Sequence, residues 1–303
     1  MKRTFKQFFI LIIIFVLFVP LTAVFCSCSN KNIPKNINVY LLETKQTEKM
    51  GFNDYIAGVV FAEIGEDAPK EALKAQSVLA RTFALNFIKN NKSKYENADI
   101  SNDITEAQAF KKTNSEKIYN AVKETNNIVV KCKNEYINPL FFANSGGVTA
   151  SVNEGLNLSD ENYEYIKSVQ SPENQTNSNS FSFYCTLSKN QILNATRNMG
   201  ITLANVSSFK KGEIGESGRC KTFIIGGKEV DANTFRLQVG STILKSTLID
   251  TISVSSSSVT IKGKGYGHGV GLSQEGAIIL ANEGKNYRDI LNFYFDKISI
   301  EKA

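Results

Sequence analysis

Apolar residues recur at helical spacing after the pair Ala68-Pro69, and this is the clearest helix pattern in the chain. Proline suits the first helical position, because the N–H that it lacks would have no partner there. A polar cluster at residues 90–93 ends the pattern. The positions that we expect on the buried face of this helix are Ala72, Ala75 or Gln76, Leu79, Phe83 and Phe87.

The rest of the chain alternates between shorter helical and strand patterns. Further helices are predicted over residues 116–124, 188–199 (with Ser188 as N-cap), 273–283 and 287–294. Strands are predicted over residues 37–42, 206–210, 221–225, 234–237 and 253–262, with a hairpin over 128–142 that turns at Lys133-Asn134. Helices and short strands mix without βαβ alternation, so the predicted fold class is α+β.

The first residues have the pattern of a membrane segment. Lys2, Arg3 and Lys6 precede an apolar run over residues 8–26. The run is long enough to cross a bilayer and longer than the apolar part of most cleavable signals. Because flanking positive charge stays cytoplasmic, the chain that follows is predicted to lie outside the cytoplasm, attached to the cell membrane.

This pattern gives a three-part organisation. We predict a cytoplasmic n-region with a transmembrane signal-anchor at residues 1–29, a connector at 30–46 and an extracytoplasmic domain at 47–303. Cleavage of the first segment, or lipidation at Cys26 or Cys28, is the alternative to a retained anchor.

Composition excludes some function classes without choosing one. The formal charge of the 303 residues is +6, and it is +3 without the three basic residues that precede the apolar run. No block of Lys and Arg with interleaved aromatics is present, so we predict no nucleic-acid binding. The chain has one histidine, and the spacing of Cys132, Cys185 and Cys220 matches no zinc signature, so we predict no metal site and no cofactor.

Three acidic residues before the long helix are candidates for acid–base chemistry. Glu63 follows the apolar residues 59–62, and partial burial there would raise its pKa toward the range that a general acid needs. Glu66 and Asp67 fit equally well the ordinary role of acids before a helix. Residue chemistry alone does not choose among the three.

Two glycine-rich motifs are candidate ligand contacts. Ser145-Gly146-Gly147 follows a predicted strand, where a simple turn is the commoner explanation, and no Gly-x-Ser-x-Gly elbow surrounds the serine. His268 stands in a stretch with five glycines in nine positions, where the chain must turn sharply or something must approach the backbone closely. A histidine held by backbone hydrogen bonds in a tight turn is the plainer alternative to catalysis.

Taken together, the motifs resemble the family of stage II sporulation protein D. The resemblance runs from Val39 to the C-terminus, with the motifs in the family's order. The matching stretches are residues 55–63, 71–84, 144–149 (Asn-Ser-Gly-Gly-Val-Thr), 217–219, 244–247 and 265–274 (Gly-Tyr-Gly-His-Gly-Val-Gly-Leu-Ser-Gln).

The resemblance implies a peptidoglycan lytic transglycosylase that acts during engulfment of the forespore, with a glycan-binding cleft and Glu63 as catalytic acid/base. It also implies glycan strands stripped of stem peptides as substrate, and as partners a cell-wall amidase (stage II sporulation protein P) and the membrane protein stage II sporulation protein M. The residues expected to contact or position the substrate are Arg81, Ser145, Gly146, Gly147, His268 and Gln274.

Two departures from the family pattern, and two other functions, are part of this expectation. Residues 98–108 hold neither Cys nor His where some family members carry a zinc cluster, and Glu275 stands where the family usually has an aromatic residue.

A non-catalytic enhancer of a wall amidase is the main alternative function. A plain sugar-binding module is the second, and it explains Glu63 less well.

Overall fold

The computed structural model describes residues 33–175 and 182–303. They belong to one compact unit, which begins at Ile33. The predicted membrane segment at residues 1–29 lies outside the described residues. Among the residues that are described, no helix is both long and apolar enough to cross a bilayer.

The described helices match most of the helical pattern in the sequence. They are α1 (Phe52–Glu63), α2 (Lys70–Asn90), α3 (Glu116–Glu124), α4 (Val152–Leu156), α5 (Lys189–Asn198), α6 (Ala232–Val239), α7 (Gln274–Asn282) and α8 (Tyr287–Tyr294). The four predicted shorter helices correspond to α3, α5, α7 and α8. The long helix is confirmed as α2, with Pro69 as its N-cap and not as its first helical residue.

The strands are short and mostly antiparallel. They are β1 (Asn36–Leu41), β2 (Gln46–Gly51), β3 (Ile100–Ser101), β4 (Ile128–Cys132), β5 (Glu135–Tyr136), β6 (Phe141–Phe142), β7 (Ser182–Ser188), β8 (Phe209–Lys211), β9 (Thr222–Ile225), β10 (Lys228–Asp231), β11 (Leu248–Val254), β12 (Ser258–Lys264), β13 (Leu272–Ser273) and β14 (Ser299–Lys302). Their sheets have the orders β2-β1-β3, β14-β4-β5, β13-β6, β11-β12-β7 and β10-β9-β8. This mixture confirms the α+β class.

Two strand predictions are corrected by the structure. Residues 234–237 lie inside α6, because the Asp231 carboxylate accepts the N–H of Thr234 at 2.7 Å and caps a helix there. Residues 253–262 are not one strand but parts of β11 and β12. The turn between these strands is closed by Ser255 and Ser258, whose backbones are joined by a hydrogen bond of 2.8 Å.

The central element is α2, which is buried on nearly all sides. It packs against α1, α3, α7, α8 and β4. Leu73, Ala80 and Ala84 lie on one face of the helix and pack in one core cluster, whereas Ala75, Val78 and Leu79 lie on the opposite face and pack in another. All six are fully buried, so α2 lies in the interior and supports the elements on both sides of it.

The β-rich region, residues 182–264, has a core of its own. Its two three-stranded sheets pack with α5 and α6, and the rings of Phe209, Phe223 and Phe235 meet at its centre. Cys185 and Cys220 are free thiols in this core, and burial raises the pKa of each to about 11. Neither thiol is therefore a nucleophile at neutral pH.

Candidate active site

Glu63 is the last residue of α1, and its side chain is partly buried. The residues that share its helical face are Ile56, Val59 and Val60, all fully buried. The carbonyl end of a helix also carries partial negative charge, which disfavours a carboxylate there. Both the apolar surroundings and the helix end therefore favour the neutral acid.

Two hydrogen-bond donors reach the Glu63 carboxyl group. The N–H of Ala109 donates to Oε1 at 3.1 Å, and the side chain of Gln274 forms the second hydrogen bond. These bonds lower the pKa of Glu63, but burial raises it by more, so the net shift is upward. The group is thus a carboxylic acid with an elevated pKa and with donors ready for its ionised form.

Ala109 is placed by the crossing segment, residues 108–111, which lies across α1. The N–H of Lys111 donates to the carbonyl of Gly58 at 3.2 Å, and Phe110 stacks on Tyr55 with ring centroids 5.6 Å apart. A Cβ atom at Gly58 would come within 2.2 Å of the Phe110 ring. Gly58 therefore lets the crossing segment approach closely enough for Ala109 to reach the acid.

Three polar residues that the sequence did not single out as ligand contacts complete what we call the acid pocket: Tyr55, Gln76 and Gln108, together with Glu63 and Gln274. The side-chain amide of Gln274 donates a hydrogen bond to Gln76 Oε1 at 3.5 Å. Burial is the main cause of the raised pKa of Tyr55, and the negative charge of Glu63 is the second cause. Tyr55 Oη, Gln76 Nε2 and both polar atoms of Gln108 are buried and have no partner among the described residues. Of these three residues, only Gln76 had a sign in the sequence of a special role, because it is a polar residue on the predicted apolar face of the long helix.

The other two acidic candidates lie outside this pocket. Glu66 and Asp67 follow the end of α1 and are both solvent-exposed. The Asp67 backbone carbonyl accepts the Lys117 ammonium at 3.3 Å. Of the three acids, Glu63 alone combines partial burial with donors to its carboxyl group.

The Ser-Gly-Gly motif belongs to a second polar cluster, the arginine hub, formed by Arg219, Ser145, Ser217, Glu154 and Glu173. Arg219 is fully buried and donates to the carbonyls of Val148 at 2.8 Å and Ser145 at 2.6 Å, and to Ser217 Oγ at 3.1 Å. Burial lowers the pKa of Arg219 to about 10, and the charges of Glu154 and Glu173 oppose that shift.

The two carboxylates of the hub bind neighbouring donors. Glu154 Oε1 accepts the backbone N–H of Ser217 at 2.8 Å and its hydroxyl at 2.7 Å. Glu173 Oε1 accepts the N–H of Ser145 at 3.0 Å and the hydroxyl of Ser273. Ser273 is the N-cap of α7, and the next residue is Gln274. The hub therefore fixes the start of α7, from which Gln274 reaches Glu63.

The glycine loop, residues 263–271, packs backbone against backbone beside this hub. Gly269 has φ +88° and would place a Cβ atom 2.5 Å from Arg219 Nε. Gly271 has φ +82° and would place one 2.1 Å from the Leu140 carbonyl oxygen. Both positions need glycine for conformation and for space. The close approach expected at this loop is therefore made by the protein's own chain.

His268 uses both ring nitrogens within the fold. The N–H of Val270 donates to Nδ1 at 3.1 Å, so Nε2 carries the proton and donates to the Phe141 carbonyl at 3.1 Å. Burial lowers the pKa of His268 to about 4. The ring is neutral at neutral pH, and its hydrogen bond to Phe141 attaches the glycine loop to β6. This arrangement agrees with a histidine held by backbone hydrogen bonds in a tight turn.

Several predicted substrate contacts lie in the interior. Arg81 is fully buried and donates to the carbonyls of Val122 and Ile128 at 3.1 Å each. Ser145 is also fully buried, and its hydroxyl accepts the N–H of Gly147 at 2.9 Å. Gly146 is partly exposed and Gly147 is buried. Glu63 and Gln274, two predicted residues that lie far apart in the sequence, are joined by a hydrogen bond.

The segment that departs from the family pattern is held by polar contacts. Asp103 binds the Lys94 ammonium at 2.6 Å and the Tyr95 hydroxyl at 2.7 Å, and Glu106 accepts the N–H of Lys94 at 2.6 Å and the Ser101 hydroxyl. Within residues 33–175 and 182–303, no group of three or more His, Cys, Asp or Glu side chains could hold a metal ion.

Comparison with known proteins agrees with these motifs. The profile of the family described as Stage II sporulation protein (SpoIID) matches residues 41–131, which contain α1, α2 and the crossing segment. Stage II sporulation protein D of Bacillus amyloliquefaciens is 27% identical over 294 residues, which is 90% of this chain and 80% of the relative. The chain belongs to the stage II sporulation protein D family.

Other relatives extend this similarity. Stage II sporulation protein D of Bacillus subtilis (strain 168) is 27% identical over 295 residues, which cover 90% of this chain and 81% of the relative. An uncharacterized protein of Brachyspira hyodysenteriae is 31% identical over 254 residues, 83% of this chain and 67% of the relative. The SpoIID similarity thus reaches well beyond the Glu63 segment, into the regions of the hub and the glycine loop.

Proposed function

We propose that this SpoIID protein is a peptidoglycan lytic transglycosylase with Glu63 as its acid and base. The observation that carries the proposal is a single partly buried glutamic acid whose pKa is raised by burial and whose carboxyl group meets two donors. A raised pKa favours the protonated form that the first step needs, and the donors stabilise the carboxylate that remains after the proton has left.

The proposed reaction needs one carboxyl group and no water. Glu63 protonates the oxygen that joins N-acetylmuramic acid to N-acetylglucosamine, and the bond from that oxygen to the muramyl C1 breaks. The Glu63 carboxylate then takes the proton of the muramyl C6 hydroxyl, and the C6 oxygen forms a bond to C1. The product is a 1,6-anhydro end, and Glu63 has recovered its proton.

The surroundings of Glu63 support this reaction over ordinary hydrolysis. Glycosidases use two carboxyl groups, about 5 to 9.5 Å apart. The leading influences on the pKa of Glu63 are burial, Ala109 and Gln274, and none of them is a second acid. Glu66 and Asp67, the nearest acids in sequence, are both solvent-exposed.

The cellular setting is part of the same proposal. Relatives named for stage II of sporulation favour a role in forespore engulfment, on glycan strands that an amidase has stripped of peptides. A membrane anchor at residues 1–29 would hold the catalytic domain on the outer face of the membrane. An amidase (stage II sporulation protein P) and stage II sporulation protein M are the proposed partners.

The test is product analysis on peptide-free glycan strands. The full-length protein, Glu63→Gln and the matched exposed variant Asp67→Asn are incubated with the strands, and the new ends are identified by mass spectrometry. We expect anhydro ends from the wild type and from Asp67→Asn, and none from Glu63→Gln. Hydrated reducing ends would contradict the mechanism. Stimulation of an amidase that survives Glu63→Gln, without anhydro product from the wild type, would favour the enhancer role.

A further inference from the structure

The β-rich region holds the excess positive charge of the described chain. Residues 182–264 contain eleven Lys and Arg against five Asp and Glu, whereas the other described residues contain 20 basic and 24 acidic side chains. Two of the eleven, Arg219 and Arg236, are buried. The remainder leave this region with a basic surface, while the part of the molecule that carries Glu63 is mildly acidic.

One face of the sheet β11-β12-β7 is open to solvent. Side chains of β7 alternate strictly between exposed and buried, and the exposed set is Ser182, Tyr184, Thr186 and Ser188. The neighbouring strand β12 presents Ser258, Thr260, Lys262 and Lys264 to the same side. Neither of these two strands contains an acidic residue, although Asp250 of the neighbouring β11 lies 3.8 Å from the Lys264 ammonium, so Lys262 is the lysine of this face that the proposal relies on most.

Tyr184 is the unusual member of this face. Its side chain is 74% exposed, and the strand register places it directly opposite Lys262. Lys264 lies two residues further along the same strand, opposite Ser182. An exposed sheet face normally carries hydroxyls and lysines for solvation. A tyrosine ring that offers no packing to the core, beside a lysine, adds a flat apolar surface next to a cation.

We propose that this tyrosine face, formed by Tyr184, Lys262, Lys264, Thr186 and Thr260, binds carboxylate-bearing glycan strands at a distance from Glu63. The inference rests on the proposed function for the identity of the polymer. Removal of a stem peptide leaves a free lactyl carboxylate on each muramic acid, so a stripped strand is a polyanion. Lysine ammonium groups complement those carboxylates, the tyrosine ring stacks on sugar C–H groups, and the threonines offer hydroxyls.

The chain path links this face to the acid pocket. Lys264 ends β12, and nine residues separate it from Gln274, which hydrogen-bonds Glu63. Ten backbone steps span at most about 35 Å. A glycan strand of several sugars is long enough to span a separation of this size. The face holds long strands near the acid and takes no part in bond cleavage.

Binding is measured apart from turnover, on full-length Glu63→Gln protein. Co-sedimentation with peptide-free glycan strands compares that protein with the same protein carrying Tyr184→Ala and Lys262→Ala. The matched control carries Ile104→Ala and Lys49→Ala, because Ile104 is 76% exposed and Lys49 is an exposed strand lysine outside the β-rich region. We expect the face variant to bind about tenfold more weakly than the parent protein, equivalent to about 1.4 kcal/mol. The control should bind as tightly as the parent protein.

Two further arms identify the ligand chemistry. Chitin strands have N-acetylglucosamine at every position, without the lactyl carboxylates of muramic acid, and should bind weakly. A phosphate polymer of the wall should not compete with glycan at equal charge. Unchanged binding by the face variant, equal binding of chitin, or preference for the phosphate polymer would overturn the proposal. If the wild type binds strands through this face but yields no anhydro ends, the proposed function fails and the binding surface stands.

Discussion

The acid pocket and the arginine hub are both buried and polar, but they differ in how far their hydrogen bonds are completed. In the hub, the terminal nitrogens of Arg219, the hydroxyls of Ser145 and Ser217, and Oε1 of Glu154 and of Glu173 have protein partners. In the acid pocket, Tyr55 and Gln108 bury polar atoms that no described protein atom satisfies.

The difference distinguishes residues that stabilise the fold from residues that remain available to bind a ligand. A completed buried network stabilises one backbone arrangement, and removal of one member leaves its partners unsatisfied. An incomplete network costs stability in the free protein and leaves donors and acceptors for something else to bind. The Ser-Gly-Gly, Ser-Gly-Arg and glycine-loop motifs thus hold Gln274 in place, and the proposed chemistry lies at the Glu63 end of the molecule.

The largest effect is expected at the centre of the hub. Arg219→Met should lower the free energy of unfolding by about 3 to 5 kcal/mol, because it leaves Glu154 and Glu173 buried without their cation. Urea unfolding measures the change. Gln108→Leu, an equally buried position of the acid pocket, is the comparison. A loss of stability as large for Gln108→Leu as for Arg219→Met would erase the distinction between the two clusters.

Gly269→Ala tests whether the glycine loop needs space as well as conformation. The Cβ atom would lie 2.5 Å from Arg219 Nε at a φ of +88°, so we expect a cost of about 2 to 4 kcal/mol. Gly284 has nearly the same φ, +86°, and nothing within 4 Å of its Cβ position. Gly284→Ala should therefore cost only about 1 kcal/mol. Equal losses in thermal unfolding would mean that contact with the hub is unimportant.

The lowered pKa of His268 gives the glycine loop beside the hub its own contribution to the pH dependence of stability. The pKa of His268 in the native protein is about 4, whereas an unfolded histidine has a pKa of about 6.5. As pH falls through this window, the unfolded chain takes up a proton that the native protein does not, so stability decreases, by at most about 3 kcal/mol. His268→Gln should remove this part of the slope in unfolding measured at pH 7.5, 5.5 and 4.5. An unchanged slope would show that the ring is charged in the native state.

The smallest stability effects, with a clear loss of activity, are expected in the acid pocket. Gln108→Leu and Tyr55→Phe should each change the free energy of unfolding by no more than about 1 kcal/mol, in the stabilising direction, because an unsatisfied buried group is removed. Release of anhydro ends should fall in both. Full activity in both variants would show that these polar atoms serve neither substrate nor acid.

Much of the fold could be predicted from local sequence patterns. The spacing of apolar residues located α2, and Ser188 with Gln191 forms the capping box that begins α5. The turn at Lys133-Asn134 follows from two residues with positive φ, 50° and 66°. Residues 234–237 were misassigned, because Thr234 and Phe235 favour strands on their own whereas Asp231 caps a helix.

The site was less predictable, because it depends on contacts between distant parts of the chain. The sequence pointed to Glu63 through its apolar neighbours, but it did not separate Glu63 from Glu66 and Asp67, which differ from it in exposure and in lacking the Ala109 and Gln274 donors. Gln108 gives no local sign of its burial, and Glu154 and Glu173 read as ordinary surface acids. Buried polar residues of this kind are recognisable only when their partners, 28 to 100 residues away for these two glutamates, are in place.

The hydrogen bond from Ala109 to Glu63 comes from the main chain, and this makes it unusually tolerant of mutation. Every amino acid except proline supplies the same N–H, so nearly any change at residue 109 leaves the donor in place. The orientation of the acid is therefore protected against sequence drift, and an alignment column at this position could vary freely while the function persisted. Ala109→Pro is the one substitution at this residue that would delete the donor itself.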